Sequence, residues 1–135
     1  MRILFIDRST KLETVNDLSS RARGGMVTSL FKVSDYLSDI GHSVYVLGDI
    51  KHPGTTASGV QWVYEVESIP TDYDFIIFNR GTGSGYSEIS ARHRILWTHD
   101  LPHAGFIPEP KTIKAFSATV FMSGYAERVW RDFYR

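Results

Sequence analysis

Two short stretches hold the groups that could do chemistry. The first is His99-Asp-Leu-Pro-His103, which directly follows the apolar run His93-Arg-Ile-Leu-Trp-Thr98. A histidine and a carboxylate at the carboxyl end of a strand are placed to hydrogen-bond a polar ligand or to move a proton. The plainer alternative is that His99 satisfies backbone groups at a turn. His99 and His103 would share one helix face, but Pro102 disfavours a helix through them and the chain has no cysteine, so no metal site is expected. The second stretch is Arg21-Ala-Arg-Gly-Gly25, which opens a helical pattern. Free amides and the macrodipole at a helix start attract an anion, and Gly24 and Gly25 have no side chain to keep it from the backbone. Arg21 and Arg23 add formal charge. The alternative is a loop that uses glycine only to turn into an ordinary core helix.

Other motifs are weaker. Gly81-Thr-Gly-Ser-Gly85 is spaced G-x-G-x-G, not G-x-G-x-x-G, and follows a late strand, so it reads as a flexible loop. Asn79 and Arg80 end a strand, and Arg80 can bind phosphate or carboxylate or pair with Glu88 or Asp74. No serine sits in a nucleophile elbow. The apolar, proline-bounded loop Ala104–Pro110 suits an acceptor groove, a membrane or partner contact, or a tuck onto the core. Arg128, Arg131 and Arg135 share a helix face that reads as solvated, with membrane-surface attraction as the alternative.

The elements that must position these residues alternate in type. Arg2–Asp7 reads as a buried parallel strand, and Arg8–Arg23 as a long, basic-leaning loop. A helix follows with Met26, Leu30, Phe31, Val33, Leu37 and Ile40 on one stripe and Gly41 as a left-handed cap. His42–Gly48 is a second strand, Asp49–Gly59 an irregular loop, and Val60–Val66 an outer, half-exposed strand. Tyr73–Asn79 is the strongest central strand. His93–Thr98 and Ala118–Ser123 are the last two. Short helices are expected near Tyr86–Arg92 and Lys111–Phe116, and a final one from the N-cap Ser123, with Ala126, Val129, Trp130 and Phe133 on its apolar face. The pattern predicts a single α/β domain, 1–135. Its core is a doubly wound, mostly parallel, Rossmann-like sheet of about six strands with helices on both faces. Ligands of such sheets bind beyond the strands' carboxyl ends, where Arg21–Gly25, Asn79–Gly85 and His99–His103 would meet.

Composition sets bounds. The 135 residues suffice for one core. Lys+Arg 15 balances Asp+Glu 15, so nothing in the net charge argues for nucleic acid. The absence of cysteine excludes disulfides and thiol catalysis and suits a cytoplasmic protein. No apolar run approaches the roughly 18 residues of a membrane span.

In this order the motifs resemble the N-terminal domain of the retaining, two-Rossmann-domain (GT-B) glycosyltransferases, notably their family four. Gly24-Gly25 opens an apolar helix that ends in Gly41-His-Ser-Val-Tyr-Val46, as in that family. Ser58-Gly-Val-Gln-Trp-Val63, Asp72-Tyr-Asp-Phe-Ile-Ile-Phe78, Ile95-Leu-Trp-Thr-His99 and Ser123-Gly-Tyr-Ala-Glu127 fall in the family's order. The resemblance implies sugar transfer from a sugar nucleotide to a carbohydrate or glycolipid acceptor, with retention and without a cofactor. It implies that Gly24 and Gly25 reach the donor's diphosphate and that His99 is the active-site histidine. Asn79, Arg80, Asp100 and His103 become acceptor-side candidates by position only. The family's C-terminal donor-binding domain, with its paired glutamates, is missing from the 135 residues, so the chain alone is expected to bind weakly and catalyse nothing. A final helix still in pattern at Arg135 suggests a continuation. Two alternatives stand beside this reading: a non-catalytic α/β binding or interaction module, and a small nucleotide or flavin binder.

Overall fold

The computed structural model describes residues 1–17, 24–81, 86–102 and 109–135. Arg21, Arg23, residues 82–85 and residues 103–108, His103 among them, lie outside the described residues.

The chain folds as an α/β unit on a seven-stranded, mostly parallel sheet. In chain order the elements are β1 (Arg2–Leu12), α1 (Gly25–Asp39), β2 (Ser43–Ile50), β3 (Gly54–Thr55), β4 (Gln61–Val63), a 3₁₀ turn (Val66–Ser68), β5 (Asp72–Asn79), β6 (Ser90–Thr98), α2 (Pro110–Ile113), β7 (Ala118–Phe121) and α3 (Gly124–Phe133). Strand order across the sheet is β3-β4-β2-β1-β5-β6-β7. Every neighbouring pair is parallel except β3 with β4. From β1 the chain builds outward through β2 and β4, then returns to the other side of β1 and builds outward again through β5, β6 and β7. The strand order therefore reverses between β1 and β5.

Alternation along the central strands splits the core in two. Ile3, Phe5, Val44 and Val46 pack on one face with Val27 and Leu30 of α1. Leu4, Ile6, Leu47, Ile76, Phe78 and Leu96 pack on the other, joined by Ile69 and by Ile113 of α2. Strands covered on both sides become nearly continuous apolar runs, which is why β1 and β5 stand out in the sequence. Helix α1 ends in a Schellman arrangement. Gly41 has φ +95°, its amide donates to Ser38 O at 2.9 Å, and the His42 amide donates to Leu37 O at 3.1 Å. Ser43 then pairs with Arg2 at the amino edge of the sheet. A 15-residue helix rises about 22 Å, so α1 begins back at the carboxyl edge. Helix α3 starts at that edge too, its Ala126 amide capped by Ser123 Oγ at 3.1 Å.

Several local expectations are corrected. β1 does not stop at Asp7. After a register shift, Lys11 and Leu12 pair with Asp49 and Ile50, and Leu12 is buried. The polar residues between them hide this extension from any periodicity. The loop after β2 contains β3, the seventh strand. The run from Val60 pairs only over Gln61–Val63 before turning into the 3₁₀ segment. No helix forms at Tyr86–Arg92: Ser90 starts β6 opposite Asp72, and its amide donates to Thr71 O at 2.8 Å. In α1 the buried positions are Val27, Leu30 and Ser34, whereas Val33 and Ile40 are exposed. The true stripe turns on a serine, whose hydroxyl donates back to Phe31 O at 2.9 Å.

Candidate functional site

Three neighbouring strands deliver polar side chains to one place on the carboxyl edge. Asp7 comes from β1, Asn79 from the end of β5, and His99 and Asp100 follow β6 directly. Asp7 and Asn79 are 4% and 1% exposed, the depth at which polar groups must be hydrogen-bonded. Asp7 Oδ1 accepts from the Ser9 amide at 2.8 Å and from Ser9 Oγ at 2.5 Å. Asp7 Oδ2 accepts from Asn79 Nδ2 at 2.8 Å. Asn79 Oδ1 meets His99 Nε2 at 2.5 Å. The Asp7–Asn79 bond thus spans the β1–β5 boundary where the strand order reverses.

The His99 ring lies 4.7 Å from that of Trp97, tilted by 39°. Burial pushes its pKa below the ordinary histidine value, against the carboxylates of Asp100 and Asp7, which pull upward; the Arg80 guanidinium lowers it further. The ring is therefore neutral at pH 7 and able to act as a base or a hydrogen-bond partner.

Beside it, Arg80 and Asp100 form an ion pair, with Arg80 Nε donating to Asp100 Oδ2 at 2.5 Å and Nη2 to the same oxygen. Arg80 thus pairs with Asp100 and not with Glu88 or Asp74. Asp74 instead accepts from the Arg2 amide at 2.8 Å and lies 3.8 Å from Arg92. Arg80 has φ +65°, the left-handed region that costs a non-glycine residue about 1–2 kcal/mol. The Asp100 carbonyl accepts from Thr98 Oγ1 at 3.2 Å and from Trp130 Nε1 of α3 at 2.9 Å. Helix α3 therefore latches the segment that carries His99.

The start of α1 lies on the same edge. Gly24 caps the helix with φ −57°, and no side chain fills the cap. A Cβ at Gly24 or Gly25 would meet nothing within 4 Å. Among the described residues, neither packing nor a left-handed backbone angle calls for glycine here.

Of the residues singled out in the sequence, Asn79, Arg80, His99 and Asp100 come together directly, and Gly24 and Gly25 share their edge. Asp7, Trp97 and Trp130 were missed. Asp7 did interrupt an otherwise apolar strand, a signal of a buried carboxylate with a task. Among the described residues no group of three or more His, Cys, Asp or Glu is gathered as a metal site, and no helix is long and apolar enough to cross a membrane. Arg131 and Arg135 pair with Glu127 and Asp132 on an exposed face of α3. Comparison of the chain with protein-family models, with curated proteins and with solved structures finds no match.

Proposed function

We propose that this chain is the acceptor-side half of a retaining, sugar-nucleotide-dependent glycosyltransferase of the GT-B kind, its sheet doubly wound. The observation that carries the reading is the neutral His99, braced by Asn79 and Asp7 where the strand order reverses. The uncapped start of α1, on the same edge, supports it. Transfer breaks the bond between the anomeric carbon and the diphosphate oxygen and makes one to an acceptor hydroxyl oxygen. The hydroxyl proton leaves with the diphosphate. Positive charge builds on the sugar and negative charge on the departing phosphate. The amides and dipole at Gly24 and Gly25 meet the phosphate charge, and the uncharged His99 ring contacts the sugar without repelling its developing cation. Arg80 and Asp100 take the acceptor side. A donor-binding domain closes over the edge and supplies the rest of the sugar-nucleotide site.

The test is sugar transfer by this domain joined to a donor-binding domain, with and without His99→Ala. A fall of about 10²-fold or more in kcat is expected. Unchanged transfer refutes the role of His99, and no transfer with any nucleotide sugar leaves the non-catalytic binding module as the better reading.

A further inference from the structure

We propose that Asp7 and Asn79 fix the proton of His99 on Nε2, so that the ring offers the bare Nδ1 nitrogen to the hydroxyl of a bound sugar. The hydroxyl partner rests on the transferase reading; the tautomer does not.

The polarity of the relay is set at its buried end. Both oxygens of a carboxylate only accept, and Asp7 Oδ1 already takes two hydrogens from Ser9. Asp7 Oδ2 must likewise face a donor, so the amide nitrogen of Asn79 is the end that lies 2.8 Å from it. A flipped amide would set oxygen against oxygen in a site where Asp7 and Asn79 are almost wholly buried. The amide oxygen is thereby turned to His99, and an amide oxygen cannot donate. Nε2, at 2.5 Å from it, must carry the hydrogen. In the uncharged ring Nδ1 is then a lone-pair acceptor. Trp97 keeps the ring plane from rotating freely.

The consequence is selectivity by hydrogen-bond type. An accepting nitrogen takes a hydrogen from a sugar hydroxyl and offers nothing to phosphate oxygens. The site then divides its labour, with α1 holding anion and His99 reading hydroxyl. Asn79 acts as a positioning residue, and its amide keeps the Asp7 charge one group away from the ring. Among the described residues, the charged groups facing His99 are Asp7 from β1, Arg80 from the end of β5, and Asp100 on its own segment.

The test is long-range proton–nitrogen correlation on the full chain labelled with ¹⁵N-histidine, without any sugar, His99→Gln identifying the signals. The expected result is a single Nε2–H tautomer with a slowly exchanging Nε2 proton. Asn79→Leu should lose that slow exchange and give the mixed tautomers of a free imidazole. The exchanged pair Asp7→Asn with Asn79→Asp preserves every donor–acceptor match, so it should restore the slow Nε2 proton. It should also raise the His99 pKa, because a carboxylate now touches the ring. A mere packing role would restore neither signal. An Nδ1–H ring in the unaltered protein overturns the proposal, as does an Asn79→Leu ring with unchanged tautomer and exchange. Unchanged transfer in His99 variants refutes the catalytic role and leaves this result untouched, so the two readings fail separately.

Discussion

His99 carries the largest part of the argument and titrates with a predictable sign. Its folded pKa lies below the ordinary value of 6.5, so below that pH the unfolded chain binds the extra proton first. Stability is full above about pH 6.5 and falls as the pH drops through the folded value. Thermal midpoints recorded across this window should fall toward acid in the unaltered protein and fall less in His99→Gln. Equal slopes would show that the ring is not held neutral. Arg80 is the other unusual residue, holding a left-handed backbone conformation beside an ion pair that is only partly buried. Strain of this kind gathers at functional sites. Arg80→Gly relieves it while removing a pair worth about 0–1 kcal/mol, so stability measured by denaturant should stay unchanged or rise by up to about 2 kcal/mol. Acceptor binding, by contrast, should weaken. Tyr73 offers a control far from this chemistry. Its hydroxyl is buried without a partner among the described residues, and burial pushes its pKa well above the phenol range. Tyr73→Phe keeps the edge-on packing with Tyr45 and should raise stability by about 1 kcal/mol.

Among the elements, α1 gives the sharpest separation of stability from function. Glycine is costly in a helix, and among the described residues nothing crowds Gly24 or Gly25. Gly25→Ala, at the first helical position, should leave the melting temperature unchanged or raise it, while affinity for inorganic pyrophosphate falls. Unchanged affinity would return these glycines to a turning role. The central strands were legible because burial on both faces leaves an apolar run, and α1 because Gly41 closes it where a left-handed residue is required. The phase of α1 was harder to read, since its buried stripe includes Ser34, whose hydroxyl is satisfied locally by Phe31. The expected helix at Tyr86–Arg92 failed for a tertiary reason: Ser90 is drawn into β6 by pairing with β5. Arg94 then donates to Ile89 and Tyr86 carbonyls while lying over Phe78, bracing the segment that looked helical. The latch between Trp130 and Asp100 was out of reach, because Trp130 read only as part of an apolar helix face.

At the scale of the molecule, strand order turns scattered residues into a site. Asp7 and Asn79 are 72 residues apart and meet only because β5 returns to lie against β1. No periodicity reveals such a pairing, whereas the fold class follows from alternating elements. His99 was legible as a candidate from its place after a strand, but its brace was not. The central claim is that the start of α1 and the His99 relay line one cleft for a nucleoside-diphosphate sugar. Its most direct measurement is a titration of the isotope-labelled chain with a panel of such sugars, following the Gly24 and Gly25 amides and the His99 ring together. The account predicts that both sets of signals move along one weak saturation curve with at least one of these sugars. Movement of only one set, or curves with different midpoints, would contradict it.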